Sequence, residues 1–306
     1  MLDILTQILP LFIIIGFGWL ISRFKIATKL WLKPIGDFAL FIGFPALIFG
    51  NLTKENIDFQ IIGDSFMRVS ILLLGMLLIL ISVINWVAKS KQMKATLIIC
   101  FLFGNAAFLG IPLVTSLNND LAQLASLNAS IMLFWVFSLG LIIVEAYTKD
   151  QRNIIKIFIS LTKNPLLLSV VLGIGFNYLE ISIPKFIHKP IEMTGKAVSP
   201  MVMLMIGIFI AENPIKSFVT VKAPMIFSTF KLLIFPIIGL ILFSLRGKQE
   251  LSSIVQFAMP AAITPFAMAH RYNLNGEFIC NSIIVSTVLS LFTLPIIIYL
   301  FKFLEV

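Results

Sequence analysis

The chain has 306 residues, 59% of them apolar and only 12% charged, with a formal net charge of +9. A mean hydropathy of +1.05 excludes a soluble globular domain, whose surface needs far more charge, and leaves the lipid bilayer as the surroundings. The basic excess is not a nucleic-acid signature: no basic run is interleaved with aromatics, and lysine and arginine gather in the cytoplasmic loops of membrane proteins.

A span needs about 20 mostly apolar residues. In chain order the apolar runs predict ten spans, near 4–22, 34–52, 69–88, 95–117, 122–146, 160–179, 194–212, 220–245, 252–271 and 277–302. The first follows an acidic leader, Met1-Leu2-Asp3, and precedes Ser22-Arg23-Phe24-Lys25 rather than a small-residue cleavage site, so it reads as a retained span. All connections are short. Arg23, Lys25, Lys29, Lys33, Lys89, Lys91 and Lys94 fall in loops on one side, against Lys54 and Arg68 on the other. The basic side is the inside, which predicts a multi-pass protein of the cell (inner or plasma) membrane with both termini outside. Arg246-Gly247-Lys248 opposes that assignment.

Residues 1–150 and 151–306 share a pattern. Gly16-Phe17-Gly18 matches Gly173-Ile174-Gly175, Pro45 matches Pro200, Gly104 matches Pro260 and Asn128 matches Asn281, at nearly constant offset. Each half holds five spans, an odd number, so the second half is inserted upside down. That is the inverted-topology repeat of many transporters.

Two spans are interrupted. The fourth reads Phe103-Gly104-Asn105-Ala106-Ala107-Phe108-Leu109-Gly110-Ile111-Pro112, and the ninth Met259-Pro260-Ala261-Ala262-Ile263-Thr264-Pro265. Proline removes a backbone donor and clashes with the preceding turn. In hydrocarbon such breaks survive only beside protein or a water-filled cavity. With the repeat inverted, the second half-helices, starting near Ala106 and Ala261, aim their N-terminal dipoles and bare N–H groups at one point. That geometry favours an anion. Asn105 adds a side-chain donor and Thr264 a hydroxyl.

No acid lies near the centre of a span, which argues against a carboxylate-based cation antiporter. Lys231, about halfway down the eighth span and followed by Pro236, is the exceptional charge. It is either an electrostatic partner for the anion or a donor to carbonyls freed by a broken helix. Asn128 and Asn281 are either site lining or packing contacts between helices. Cys100 and Cys280 fall in apolar runs and read as small core residues, with no disulfide framework and no metal site.

Ala258-Met259-Pro260, Thr264-Pro265-Phe266, Ala269, Tyr272-Asn273 and Leu294-Pro295-Ile296, taken with Asn105, Gly110-Ile111-Pro112-Leu113, Lys231 with Pro236, Asn164-Pro165 and Phe44-Pro45, resemble the auxin efflux carrier family. That family includes bacterial organic-acid permeases and the plant PIN-FORMED exporters. The resemblance implies an all-α fold like that of sodium/proton antiporters, with scaffold and transport domains, crossed helices 4 and 9 around the substrate, elevator-type alternating access and a homodimer. Two departures stand out. The connection 147–160 is short where plant members carry a long loop, and Gly104 stands where the plant crossover has proline, so auxin is not carried over as substrate.

The expectation is therefore a secondary carrier of small organic anions, malate- or malonate-like, with no cofactor. A sodium-coupled symporter of the bile-acid type and a non-transporting membrane sensor are the alternatives. A prenyl- or phospho-transferase needs paired aspartates to hold metal-bound phosphates, and here the aspartates are scattered, with no such pair in a span.

Overall fold

A computed structural model describes residues 2–54, 59–148, 159, 162–215, 217–242, 248–270 and 272–304. Arg246, Gly247 and most of the 147–160 connection lie outside the described residues. Among the described residues the regular elements are all helical. We number them α1 (Leu2–Arg23), α2 (Lys29–Leu52), α3 (Phe59–Val87), α4 (Lys91–Leu102), α5 (Ala106–Leu117), α6 (Asn119–Thr148), α7 (Pro165–Tyr178), α8 (Lys185–Glu212), α9 (Phe218–Gly239), α10 (Lys248–Phe257), α11 (Thr264–Met268) and α12 (Gly276–Leu304).

Seven of these, α1, α2, α3, α6, α8, α9 and α12, are long and apolar enough to cross a membrane. Their outward faces are greasy: Trp86, Phe41, Phe186 and Ile226 are exposed, as a lipid-facing surface requires. Two helix starts correct the hydropathy reading. α3 begins at Phe59 and α8 at Lys185, about ten residues before the apolar runs, so Arg68, Lys185 and Lys189 lie on helices rather than in loops. Backbone hydrogen bonding continues past the apolar stretch, and long basic side chains keep their heads in water while their stems lie along the helix.

α1 and α8 pack most extensively. A Cβ on Gly207 would fall 1.9 Å from the Ile15 carbonyl oxygen, and one on Gly18 2.2 Å from that of Leu204. Only glycine lets the two backbones come this close, and close backbone approach is what holds helices together where lipid removes the hydrophobic drive. At one end of this seam Ser22 Oγ donates to Glu212 Oε1 at 2.9 Å. α7 lies against the second half of α2, where Asn177 Nδ2 donates to the Leu52 carbonyl. α9 packs along α12 and α3 along α6.

Four of the helices contain a widened, π-type turn: Ala39–Gly43 in α2, Ala106–Gly110 in α5, Val136–Gly140 in α6 and Phe230–Ile234 in α9. Three of them stand just before Pro45, Pro112 and Pro236. The proline ring cannot pass the carbonyl four residues earlier, and one extra residue in the turn moves that carbonyl aside. Cys100 and Cys280 are free and buried, as the sequence suggested.

Candidate functional site

The two interrupted stretches meet. Gly104 and Ala261 form an antiparallel bridge, in which the Asn105 N–H donates to the Pro260 carbonyl at 2.8 Å and the Ala262 N–H to the Phe103 carbonyl at 2.9 Å. The Ala261 N–H is taken by Ser286 Oγ of α12 at 3.0 Å. An unsatisfied backbone group in hydrocarbon costs several kcal/mol, so each extended stretch is stable only because the other is present. This pairing also corrects one expectation. The second short helix starts at Thr264, not Ala261, because residues 260–262 are extended and spend their polar groups on the bridge. On the other side α5 does start at Ala106.

At Asn105 the first bonds of α5 begin: its carbonyl accepts from Leu109 and Gly110, both at 3.0 Å. The N–H groups of Ala106, Ala107 and Phe108 precede that point and form the open first turn of a helix. An asparagine in this N-terminal position usually caps the turn with its own side chain. Asn105 makes no such bond, and its Oδ1 is buried without a partner.

Lys231 comes from the widened turn of α9 and is 1% exposed. Its Nζ donates to the carbonyls of Cys100 at 3.2 Å and Phe101 at 2.5 Å, the orphan carbonyls of the last turn of α4. The ammonium thus sits at the negative end of that helix, 5.4 Å from the Phe101 ring centroid. Of the two roles open in the sequence, the donor to freed carbonyls is the contact observed.

Asn105, Ala106, Lys231 and Thr264 line one small cavity of about 50 Å³, together with Gly104 and Gln256. Each of the four widened turns contributes to its wall, through Leu40, Ala106 to Phe108, Val136 and Phe137, and Lys231. Among the described residues no carboxylate lines it. A second cavity of about 660 Å³ shares Leu40, Phe108, Phe137 and Thr264 with the first and reaches Lys29, Lys33 and Asp37, at the end of the protein that the charge bias predicts to be inside. Pro260 and Ala261 hold the bridge rather than the cavity wall. Asn128 and Asn281 are placed elsewhere. Asn128 Nδ2 donates to Ser252 and Ser253 of α10, and Asn281 Nδ2 to the Thr220 carbonyl of α9; both tie neighbouring helices.

Gln256 was not singled out from the sequence. Its Nε2 donates to the carbonyls of Ala106 at 3.3 Å and Ala125 at 2.8 Å, joining α10 to α5 and α6. The signal was available, since a carboxamide one turn before a proline-broken stretch of an apolar span must find a partner.

A membrane-embedded helical protein whose two interrupted segments enclose a small cavity with a few polar groups in an apolar wall belongs to the class of membrane transport proteins. The sequence profile described as membrane transport protein matches residues 3–298, so the chain is a member of that family, the auxin efflux carriers. It is 22% identical to an uncharacterized transporter of Methanocaldococcus jannaschii over 94% of this chain and 96% of that one. It is 25% identical to the mouse lysosomal cholesterol signaling protein, over 92% of this chain but 36% of that protein. It is 19% identical to a Rhizobium meliloti protein named "Putative malonate transporter" over 99% of this chain and 97% of that one. The family consists of transporters and carriers, not enzymes.

Proposed function

We propose that the protein is a secondary carrier of small organic anions, malate- or malonate-like, that works by elevator-type alternating access. One observation carries this: a cavity at the meeting of two interrupted helices holds the open N-terminal turn of α5 and the Lys231 ammonium, with no carboxylate among the described residues that line it. Fixed N–H dipoles and one cation in a low-dielectric cavity favour negative charge. The malonate in the printed name of the Rhizobium meliloti relative is consistent with that chemistry.

In this reading α4 with α5 and α10 with α11 are single broken spans, which with α7 gives ten spans in a 5+5 inverted repeat, 1–150 and 151–306. The packing supports the pseudo-symmetry, since α1 lies on α8 as α7 lies on α2, and α3 on α6 as α9 on α12. The carrier sits in the cell membrane with both termini outside, as a homodimer. At about 50 Å³ the site holds little more than a water molecule, so this is a closed state whose adjoining vestibule opens toward the Lys29 side.

The test is uptake of labelled malate and malonate by proteoliposomes. Asn105→Ala combined with Pro260→Ala lowers uptake more than about 10-fold, because the Asn105 carboxamide is lost from the cavity wall and the backbone that Pro260 holds at the bridge is freed; unchanged uptake would sink the site. A requirement for external sodium moves the reading to a sodium-coupled symporter. Specific binding with no flux moves it to a sensor.

A further inference from the structure

Asn105 and Gln256 carry a feature that an anion alone does not explain. The Gln256 amide cannot be turned over. Its Nε2 faces two backbone carbonyls, which only accept, so the amino group belongs there and the oxygen points the other way. That oxygen, Oε1, is buried and has no donor, and the Asn105 carboxamide, which no side-chain bond among the described residues holds in one orientation, can present a second such acceptor. The two residues are 1% and 3% exposed. Both line the cavity, and Gln256 is bonded to Ala106, the residue that follows Asn105.

Buried amide oxygens are acceptors that need a donor. A bare carboxylate is itself acceptor-only. It is served by the α5 amides and the Lys231 ammonium but gives these two oxygens nothing. We propose that Asn105 Oδ1 and Gln256 Oε1 are specificity acceptors, selecting organic anions that carry an O–H or N–H donor beside the carboxylate, such as 2-hydroxy acids, over their deoxy analogues. This rests on the carrier reading above. Sites built to hydrogen-bond a ligand hydroxyl reject the analogue lacking it by large factors, because the buried acceptors are otherwise left unpaired.

The experiment measures thermal shift and proteoliposome uptake with matched pairs, malate against succinate and lactate against propionate, in sodium and in N-methylglucamine buffers. The hydroxy acid of each pair binds at least about 10-fold more tightly, and Gln256→Leu lowers the affinity for the hydroxy acid by a larger factor than that for the deoxy anion. Should that variant fail to fold, the ratios of the unaltered protein decide alone. Equal affinity within each pair overturns the selectivity and leaves the carrier intact. Binding of no anion at all overturns the carrier reading instead. Stabilisation by sodium without any anion, together with loss of the hydroxyl preference, assigns the two oxygens to a cation and also overturns the proposal.

Discussion

The α1–α8 seam and the crossing of the interrupted segments solve the same problem, helix association without water, in opposite ways. At the seam Gly18 and Gly207 bring two helical backbones into direct contact. At the crossing the backbone leaves the helix, and its polar groups are returned piecemeal: to the opposite strand at Pro260 and Phe103, to Ser286, and to Lys231. The first arrangement joins the helices by contact of backbone on backbone. The second leaves a helix N-terminus and two carboxamide oxygens unspent. In a membrane, close-packed glycine gives rigidity, and incomplete hydrogen bonding gives a place to bind.

That contrast breaks first at the seam. Gly207→Leu drives a side chain into the Ile15 carbonyl and is expected to cost about 3 kcal/mol or more by overpacking. It is measured as a fall in the midpoint of thermal unfolding in detergent, and an unchanged midpoint would show that the helices separate freely. At the crossing, Ser286→Ala removes the acceptor of the Ala261 N–H and is expected to cost about 1–3 kcal/mol by leaving a buried donor unpaired. Anion affinity falls with it, since the strand that bounds the site loosens; a stability loss with affinity intact would detach the bridge from the site. The smallest effect sharpens the picture. Gly16 sits two residues from Gly18, yet a Cβ there meets nothing within 4 Å, so Gly16→Ala is neutral or stabilising within about 1 kcal/mol. A large loss at Gly16 would mean that a second copy of the chain or another partner covers that face.

The apolar runs made the membrane class and most helices legible, because bilayer thickness acts on composition directly. The interruptions at Gly104 and Pro260 were equally plain, since glycine and proline leave few alternatives. Other features needed the third dimension. The start of α11 at Thr264 follows from a partner strand more than 150 residues away, and no local signal near Ala261 announces it. Lys231 was visible as a charge in an apolar span, but its role was not, because the carbonyls it meets belong to Cys100 and Phe101 of another helix. Asn128 and Asn281 were open between site lining and packing contacts; only their partners on α10 and α9 separate them from the cavity. The charge-bearing N-terminal stretches of α3 and α8 escaped because a hydropathy window sees lipid contact, not helix length.

The widened turn in α9 has one further consequence. Each residue advances a helix by about 100°, so an added residue puts the stretches before and after it out of phase. Before the turn, Phe227 stacks edge-on against Phe278 of α12. Beyond it, Phe235 touches Phe101 of α4 at 4.7 Å and Phe257 of α10 at 4.9 Å between ring centres. A single residue of slack thus lets one rod serve two masters: its first half keeps company with an unbroken neighbour, and its second wedges between the ends of both severed ones.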